Sequence, residues 1–219
     1  LLEKFKEKIK YFYIEKFNSN FNSWEKENFQ RNQITKGLID SKNEDIIMIS
    51  DVDEIPNLEK IDFSKINEYV YAFSQIHSMY KLNLIRDDDW IGTKLCKKKV
   101  LISPQWLRAL KVKKKYNIFR LDKYFSKTYY SKFKIIKDGG WHFGWLRNSN
   151  EIIQKINSYA HTEHNINQNN NKNYIEDCMD KNVSFLNNNE KLLINEKIDY
   201  LPKYILKNID LYRKWLKEK

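Results

Sequence analysis

The fold is decided by the stretch IIMISDVDEIP, which covers residues 46–56. Its first four residues are apolar and mostly β-branched, which is typical of a strand buried in a sheet, and a proline stops the run. Three carboxylates, Asp51, Asp53 and Glu54, follow the end of this predicted strand. Because open α/β sheets bind ligands beyond the carboxyl ends of their strands, the stretch predicts an α/β fold with an acidic site at the edge of its sheet.

Asp51 and Asp53 form a D-x-D pattern, and both carboxylates can turn toward one cation if the backbone leaves strand geometry there. Carboxylate oxygens are ligands of Mg²⁺ and Mn²⁺, and these ions in turn bind substrate diphosphates. The alternative interpretation is an acidic turn without a ligand, which is common after strands. Glu54 also has two interpretations, since it either supports the site or caps a helix that follows.

The composition predicts one folded domain over residues 1–219, because 41% of the residues are hydrophobic and 15% are aromatic. The formal net charge of +11 favours anionic partners, although a lysine-rich solvated surface explains the same value. Two cysteines, Cys96 and Cys178, imply no disulfide framework. No run of about 18 apolar residues predicts a membrane span, and there is no signal peptide. Since Leu1 opens inside a patterned segment, we expect the domain to be N-terminally incomplete.

Hydrophobic periodicity and turn residues predict strands and helices along the whole chain. The predicted strands cover residues 9–14, 46–49, 69–80, 81–85, 94–102, 133–137 and 141–146. The predicted helices cover residues 22–37, 57–67, 103–110, 151–159, 174–186 and 202–219. The last two make a C-terminal helical region, residues 174–219, which follows an Asn-rich loop at residues 165–173.

Arg31 lies on a face of the first predicted helix that is expected to be buried, so its guanidinium needs a partner. One interpretation is an intrahelical ion pair with Glu27, and the other is a contact with a phosphate or a carboxylate.

Residues 94–115 contain nine Lys or Arg and no acidic residue. This run is either a solvated face or the source of a field that attracts an anionic ligand, and no nucleic-acid-binding motif accompanies it.

His142 stands between two tryptophans and two glycines, an environment suited to holding a sugar or a base. The alternative is a core histidine with satisfied hydrogen bonds.

His161, Glu163 and His164 cluster at the end of a predicted helix, but their spacing matches no zinc motif. Residues 87–89 form a second acidic turn.

Five segments, taken in order, resemble glycosyltransferase family seventeen, the family of β-1,4-mannosyl-glycoprotein β-1,4-N-acetylglucosaminyltransferase. They are WEKENFQRN at residues 24–32, SDVDEIP at residues 50–56, QWLR at residues 105–108, GWHF at residues 140–143 and HTE at residues 161–163. The resemblance runs from about residue 9 to the C-terminus and includes YLPKY at residues 200–204. These segments in this order are far more specific than a D-x-D pattern alone.

The resemblance implies a GT-A-like nucleotide-sugar-binding fold, a mixed sheet flanked by helices, without the upstream segment that supplies the family's first strand. It implies that Asp51 and Asp53 hold Mn²⁺ or Mg²⁺ against the diphosphate of a UDP-sugar, with UDP-GlcNAc as the expected donor. The expected reaction is transfer to a hydroxyl of a glycan or glycoprotein, with inversion at the anomeric carbon. A bound divalent ion suits this reaction because it neutralises the leaving diphosphate as a Lewis acid.

The remaining site residues are expectations for the same reaction. A base must take the proton of the acceptor hydroxyl, and Glu163 and Asp138 are the predicted catalytic residues, with residues 87–89 as rivals. The predicted contacts to donor or acceptor are Arg31, Glu54, Arg108, Trp141, His142, Trp145 and His161.

Two other functions stay open as alternatives. A basic nucleic-acid-binding protein would bind any polyanion in a salt-sensitive way and without a metal. A metal-dependent phosphohydrolase would use the same carboxylates, but its D-x-D pattern normally continues with Thr or Gly, whereas residues 54–56 are Glu-Ile-Pro.

Two compartments are equally compatible with the chain. One is a Golgi-type lumen for a eukaryotic protein with an anchor outside this chain, and the other is the host cytoplasm for a viral protein.

Overall fold

The fold is built around a mixed, mostly antiparallel sheet that packs against helices. The computed structural model describes residues 3–111, 133–158 and 165–218. Within these ranges, eight strands form the main sheet and two more form a separate hairpin. The predicted mixed α/β class is confirmed.

The strands, in chain order, are β1 Ile46–Ile49, β2 Glu54–Pro56, β3 Val70–Met79, β4 Leu84–Ile85, β5 Trp90–Lys97, β6 Phe133–Ile136, β7 Gly140–Trp145, β8 Val183–Ser184, β9 Asn187–Lys191 and β10 Leu193–Ile194. β3 is the central strand, because it pairs antiparallel with β4 and β5 and parallel with β6 and β7. β1 extends the sheet beyond β5, β2 beyond β7 and β10 beyond β4, while β8 pairs with β9.

β3 is buried on both faces and does not have one buried and one exposed face. Nine of its ten residues are buried, and Ile76 is half-buried. Val70 packs with β1 in one hydrophobic cluster, whereas Phe73 belongs to a different one. The polar side chains that β3 buries are Ser74, Gln75, His77 and Ser78. The second half of the central strand therefore carries polar groups into the interior of the molecule.

The α-helices of the described ranges are α1 Ser23–Asn32, α2 Pro104–Ala109, α3 Ser149–Ser158, α4 Lys172–Asp180, α5 Lys203–Lys207 and α6 Ile209–Tyr212. α1 begins with a capping box between Asn22 and Glu25, and Asn148 and Glu151 make the same reciprocal bonds at the start of α3. The side chain of Ser103 caps α2 and the next residue is proline, as predicted. These caps satisfy backbone N–H groups that a helix start leaves without partners.

One hydrophobic cluster joins α3 and α4 to the sheet. Ile152 and Ile156 of α3 and Ile175 of α4 are buried against Met79 and Trp145 at the ends of β3 and β7. α3 is thereby held beside β7, with its polar face directed away from this cluster. In the described ranges, no helix combines the length and the apolar character needed to cross a membrane.

Several predictions for the first half of the chain are wrong or incomplete. Residues 9–14, predicted as a strand, have no regular structure, and no strand of the described ranges pairs with them. The first helix ends at Asn32 and continues as a 3₁₀ helix, Gln33–Leu38. β5 starts at Trp90, earlier than predicted, and a 3₁₀ turn at Lys98–Val100 replaces its expected end.

Residues 57–67 were predicted as one helix and instead contain two 3₁₀ turns, Leu58–Lys60 and Phe63–Lys65. The side chains of Asn57 and Asp62 each accept a hydrogen bond from the backbone N–H two residues later. Such local bonds compete with a continuous helix, which explains the interruption.

The C-terminal region is not the pair of long helices predicted for residues 174–219. α4 ends at Asp180, and Asn182 has a positive φ of 54°, which turns the chain into the β8–β9 hairpin. The last predicted helix is divided at Asn208, whose backbone leaves helical geometry, and it ends in a 3₁₀ turn at Arg213–Trp215.

The loop between β1 and β2 joins two parts of the sheet. β1 pairs with β5, so Ile49 lies opposite Lys94. β2 pairs with β7, so Glu54 lies opposite His142. Residues 50–53 cross from one part to the other, and side chains from both parts converge on them.

Candidate active site

The loop of residues 50–53 lines a cleft of about 2080 Å³. Side chains of α1, α2, α3, β5 and β7 line the same cleft, together with aromatic residues of the N-terminal segment 10–17. Pockets for drug-sized ligands have volumes of roughly 300–1,000 Å³. The cleft therefore has room for a ligand of several rings, or for two ligands side by side.

Asp51 is held by two guanidinium groups. Arg31 Nη2 donates to Oδ1 at 3.2 Å, and Arg108 Nη2 donates to Oδ2 at 2.5 Å. Arg31 also donates to Glu27 at 2.7 Å and to Gln105 at 2.6 Å. Both interpretations of Arg31 therefore hold together, since it pairs within its helix and contacts a second carboxylate. Each arginine side chain is only 13% exposed, so these contacts are charge-assisted bonds in a partly desolvated place.

Glu54 is a buried carboxylate with its own set of donors. Trp90 Nε1 donates to Oε1 at 2.7 Å, and Arg108 Nη2 donates to the same oxygen at 2.8 Å. The backbone N–H of Asp51 donates to Oε2 at 3.2 Å. Glu54 therefore supports the site by fixing Trp90 and Arg108. It is not a helix cap, because Asn57 caps the turn that follows.

Asp53 has different partners from Asp51. Its Oδ1 lies 3.6 Å from His142 Nε2, and its Oδ2 lies 3.3 Å from Lys155 Nζ. Lys155 also donates to the carbonyl oxygen of Gly144 at 2.5 Å. Burial alone would raise the pKa of Asp53, but the His142 imidazole and the Lys155 ammonium outweigh it and hold that pKa well below its ordinary value. Asp53 is thus an anion with looser contacts than Asp51 has.

Three aromatic rings are packed together beside Asp53. The ring centroid of His142 lies 4.4 Å from that of Trp90 and 4.4 Å from that of His77. His77 Nε2 and His142 Nδ1 are buried, and neither has a hydrogen-bond partner in the described part of the chain. Burial, followed by the neighbouring His142, lowers the pKa of His77 to about 3. Within the described part of the chain, His142 is therefore not a core histidine whose hydrogen bonds are all satisfied.

The basic run does not form one solvated face. Lys97 pairs with Glu44 at 2.6 Å on the surface. Lys94 is buried, and its Nζ donates to the carbonyl oxygen of Arg108 at 2.6 Å. Residues 113–115 lie outside the described ranges. The described part of the run therefore supplies both surface ion pairs and cations of the cleft.

Most of the predicted binding residues come together in the cleft. The predicted residues that meet around the loop are Arg31, Asp51, Asp53, Glu54, Arg108 and His142. Trp145 lines the cleft as well, and Lys155 Nζ lies 4.5 Å from the centroid of its ring. Carboxylates, guanidinium groups and aromatic rings thus surround one space.

Two predicted residues lie away from this space. Trp141 belongs to β7, but its Nε1 donates to the carbonyl oxygen of Tyr200, and its side chain does not line the cleft. Asp138 sits in the β6–β7 turn with a φ of 50° and a side chain that is 84% exposed. Its carboxylate lies 3.8 Å from the Lys60 ammonium and outside the cleft lining.

Two of the remaining predicted residues are not described by the structure, and two carboxylates of the second acidic turn have partners within the protein. Glu163 and His161 lie outside the described ranges. In the second acidic turn, Asp88 pairs with Arg86, and Asp89 accepts a hydrogen bond from Ser74. The carboxylates of Asp88 and Asp89 are therefore engaged by other side chains of the protein.

The cleft residues that the sequence did not single out include His77, Trp90, Glu151 and Lys155. His77 was one of several polar residues in a predicted strand, with no local signal that set it apart. Glu151 and Lys155 are four residues apart on α3 and so share a helix face, which the sequence does show. Lys155 lies beside Asp53 because of the way α3 packs against the sheet, and local sequence patterns carry no information about that packing.

No group of three or more His, Cys, Asp or Glu side chains among the described residues is arranged to hold a metal ion. Comparison of the chain with models of protein families, with curated proteins and with solved structures finds no match. The chemistry of the cleft is therefore the main guide to function.

Proposed function

We propose that the protein is an inverting glycosyltransferase that moves a sugar, GlcNAc as the first choice, from a UDP-sugar to a glycan or glycoprotein hydroxyl. A GT-A-like relationship of its sheet is part of this proposal. The observation that carries it is the D-x-D loop at the end of β1, which lines a large cleft among guanidinium and ammonium groups. The resemblance of four other segments to glycosyltransferase family seventeen adds support from the sequence.

The charges of the cleft favour an anionic ligand such as a diphosphate. The basic residues that line it are Lys10, Arg31, Arg86, Lys94, Arg108, Lys111, Arg147 and Lys155. A side-chain cation that is held in place inside a cleft attracts an anion more strongly than a mobile side-chain cation in water does. Ion pairs with Asp51 keep Arg31 and Arg108 in fixed positions, so their fields are already oriented when a ligand arrives.

Aromatic side chains favour the ring parts of a nucleotide sugar. Trp90, His142 and Trp145 line the cleft close to the loop. Tyr11 and Tyr13 are largely exposed where the N-terminal segment passes the cleft. Aromatic faces stack on bases, and they combine apolar area with polar edges that suit a hydroxylated ring.

A divalent ion, Mn²⁺ or Mg²⁺, belongs to the proposal, and Asp53 is the better ligand for it. Both oxygens of Asp51 are engaged by guanidinium groups. The partners of Asp53 lie farther away, at 3.3 and 3.6 Å, which leaves its oxygens freer to take a new ligand. When bound, such an ion supplies Lewis-acid stabilisation of the leaving diphosphate.

Transfer also needs a base that takes the proton of the acceptor hydroxyl as the new C–O bond forms and the bond to the diphosphate breaks. Asp138 lies outside the cleft lining, so Glu163 is the first choice of the two predicted residues. Glu151 is a second choice, because it lines the cleft from α3. Replacement of Glu151 by Gln keeps an acceptor for its capping bond while removing the base.

The test is a thermal-shift screen of UDP-sugars with and without Mn²⁺, followed by a transfer assay with glycan acceptors. A ligand at 100 times its Kd stabilises the folded protein by about 2.7 kcal/mol. Mn²⁺ should increase the rise in melting temperature that UDP-GlcNAc produces, because the ion links the carboxylate to the diphosphate and so tightens binding. Asp53→Asn should lose this response and lose transfer. Asp210→Asn, a change at an exposed residue of α6, is the matched control and should behave as the wild type.

Transfer by Asp53→Asn at the wild-type rate would contradict the role of Asp53. Absence of any UDP-sugar response in the wild type would contradict the proposed function. Salt-sensitive binding of nucleic acid without such a response would favour the nucleic-acid-binding alternative.

A further inference from the structure

Lys94 carries a positive charge that no carboxylate of the described residues neutralises through an ion pair. The residue is 4% exposed, and its Nζ donates to the carbonyl oxygen of Arg108. The three other cations next to the D-x-D loop each pair with a carboxylate, namely Arg31, Arg108 and Lys155. Of these four cations, Lys94 is the one whose charge the described protein leaves unbalanced.

Keeping an ammonium ion in this place is costly. Burial and, after it, the Arg108 guanidinium lower the pKa of Lys94 to about 8, and the more distant Asp51 and Glu54 offset only part of that effect. An apolar side chain of similar length would fill the same space without the desolvation cost. The bond to the Arg108 carbonyl, in the last turn of α2, gives this lysine a structural role, but that bond does not neutralise the charge.

The strand register places this ammonium next to the proposed site. Lys94 lies opposite Ile49, the last residue of β1, and lines the same cleft as Asp51. An ammonium has three N–H donors, and one of them is used by the Arg108 carbonyl. The remaining donors can serve a ligand that enters the cleft.

We propose that Lys94 binds a phosphate oxygen of a diphosphate ligand. The phosphate neutralises the buried charge and accepts hydrogen bonds from the remaining N–H groups, so the ligand supplies the negative charge that no described residue pairs with Lys94. The identity of that ligand as a UDP-sugar rests on the proposed function. The contact itself requires only a diphosphate group.

The experiment measures the binding of inorganic pyrophosphate by isothermal titration calorimetry in the presence of a chelator, so that no divalent ion contributes. Lys94→Met removes the charge and keeps the length of the side chain. The dissociation constant should rise about tenfold to a hundredfold, which corresponds to the loss of one charge-assisted hydrogen bond. The melting temperature of the free variant should change little, because removal of the buried charge offsets the loss of the hydrogen bond to the Arg108 carbonyl.

Lys97→Met is the matched control, since Lys97 lies three residues along the same strand and pairs with Glu44 at the surface. It removes the same net charge, so a change in pyrophosphate affinity of less than about twofold shows that the effect of Lys94 is local. If Lys94→Met does not fold, Lys94→Gln, which keeps a donor for the Arg108 carbonyl, takes its place.

Pyrophosphate affinity equal to that of the wild type in either folded Lys94 variant would overturn the proposal, as would a wild type that does not bind pyrophosphate. Failure of the proposed function gives a different result. The wild type would then bind pyrophosphate through Lys94 but show neither stabilisation by UDP-sugars nor transfer.

Discussion

Asp51 and Asp53 are two residues apart, but their surroundings give them different tasks. Asp51 neutralises Arg31 and Arg108, two largely buried guanidinium groups from different helices. Asp53 is approached by the Lys155 ammonium at a longer distance. At the scale of single residues, the first carboxylate holds the site together, and the second is the one able to exchange its partner for an ion.

Asp51→Asn should therefore lower the free energy of unfolding by about 1–3 kcal/mol, because two neighbouring guanidinium groups lose the anion between them. Asp53→Asn should cost less than Asp51→Asn, since the partners of Asp53 lie at 3.3 and 3.6 Å and include only one permanently charged group. Urea denaturation of both variants beside the wild type measures the difference. Equal losses would show that the two carboxylates have equivalent surroundings.

At the scale of elements, β5 forms the site by close approach to its neighbours. The carbonyl oxygen of Gly92 accepts a hydrogen bond from Arg108 Nη1 at 3.1 Å. A Cβ at Gly92 would collide with Gln75 Oε1, and it would lie 2.7 Å from Trp90 Cδ1 and 2.9 Å from Glu54 Cδ. Only glycine fits at position 92 without displacing its neighbours, because the β5 backbone lies directly against the buried Glu54 carboxylate.

Gly92→Ala should lower the free energy of unfolding by about 1–3 kcal/mol, as expected for overpacking of a filled interior. Gly37→Ala is the control, because a Cβ there would meet a single side chain, that of Phe12, at 3.3 Å. Denaturation of the two variants gives the comparison. A similar small effect in both would mean that the β5 backbone can move away from Glu54 without cost.

At the scale of the whole molecule, global unfolding exposes a histidine that the central strand keeps neutral. Burial, together with His142, Arg86 and Lys155, lowers the pKa of His77 from 6.5 to about 3, while Asp53 acts in the opposite direction. Between these values the unfolded chain holds a proton that the folded protein does not. The free energy of unfolding should therefore fall as the pH is lowered through this window.

His77→Gln should flatten the pH profile of stability between about pH 6.5 and pH 4, where the wild type loses stability through this group. Urea denaturation at several pH values, for both proteins, measures the two slopes. Carboxylates titrate at the acid end of the same range in both proteins, so the difference between the slopes is the relevant quantity. Parallel profiles would show that His77 does not resist protonation.

Features that depend on near neighbours in the chain could be predicted from the sequence. The strand at residues 46–49, the acidic loop after it and the cap at Ser103 are examples, and all three are confirmed. Some predictions were wrong because the outcome depended on distant partners: residues 9–14 have strand-like composition, but no strand of the described ranges pairs with them. Others missed local turn signals, at Asn57 and Asp62 and at Asn182, whose positive φ follows the end of a helix.

The sequence by itself determined the mixed α/β class, the acidic end of β1 and the presence of many cations. Only the tertiary structure decided which cation belongs to which carboxylate. Arg108 is 57 residues from Asp51, and Lys155 is 102 residues from Asp53. Local patterns record the spacing of residues on one element, whereas these pairings depend on strand register and helix packing. The same packing buries Lys94 without an ion pair to any carboxylate of the described residues, and that makes it the residue to test first.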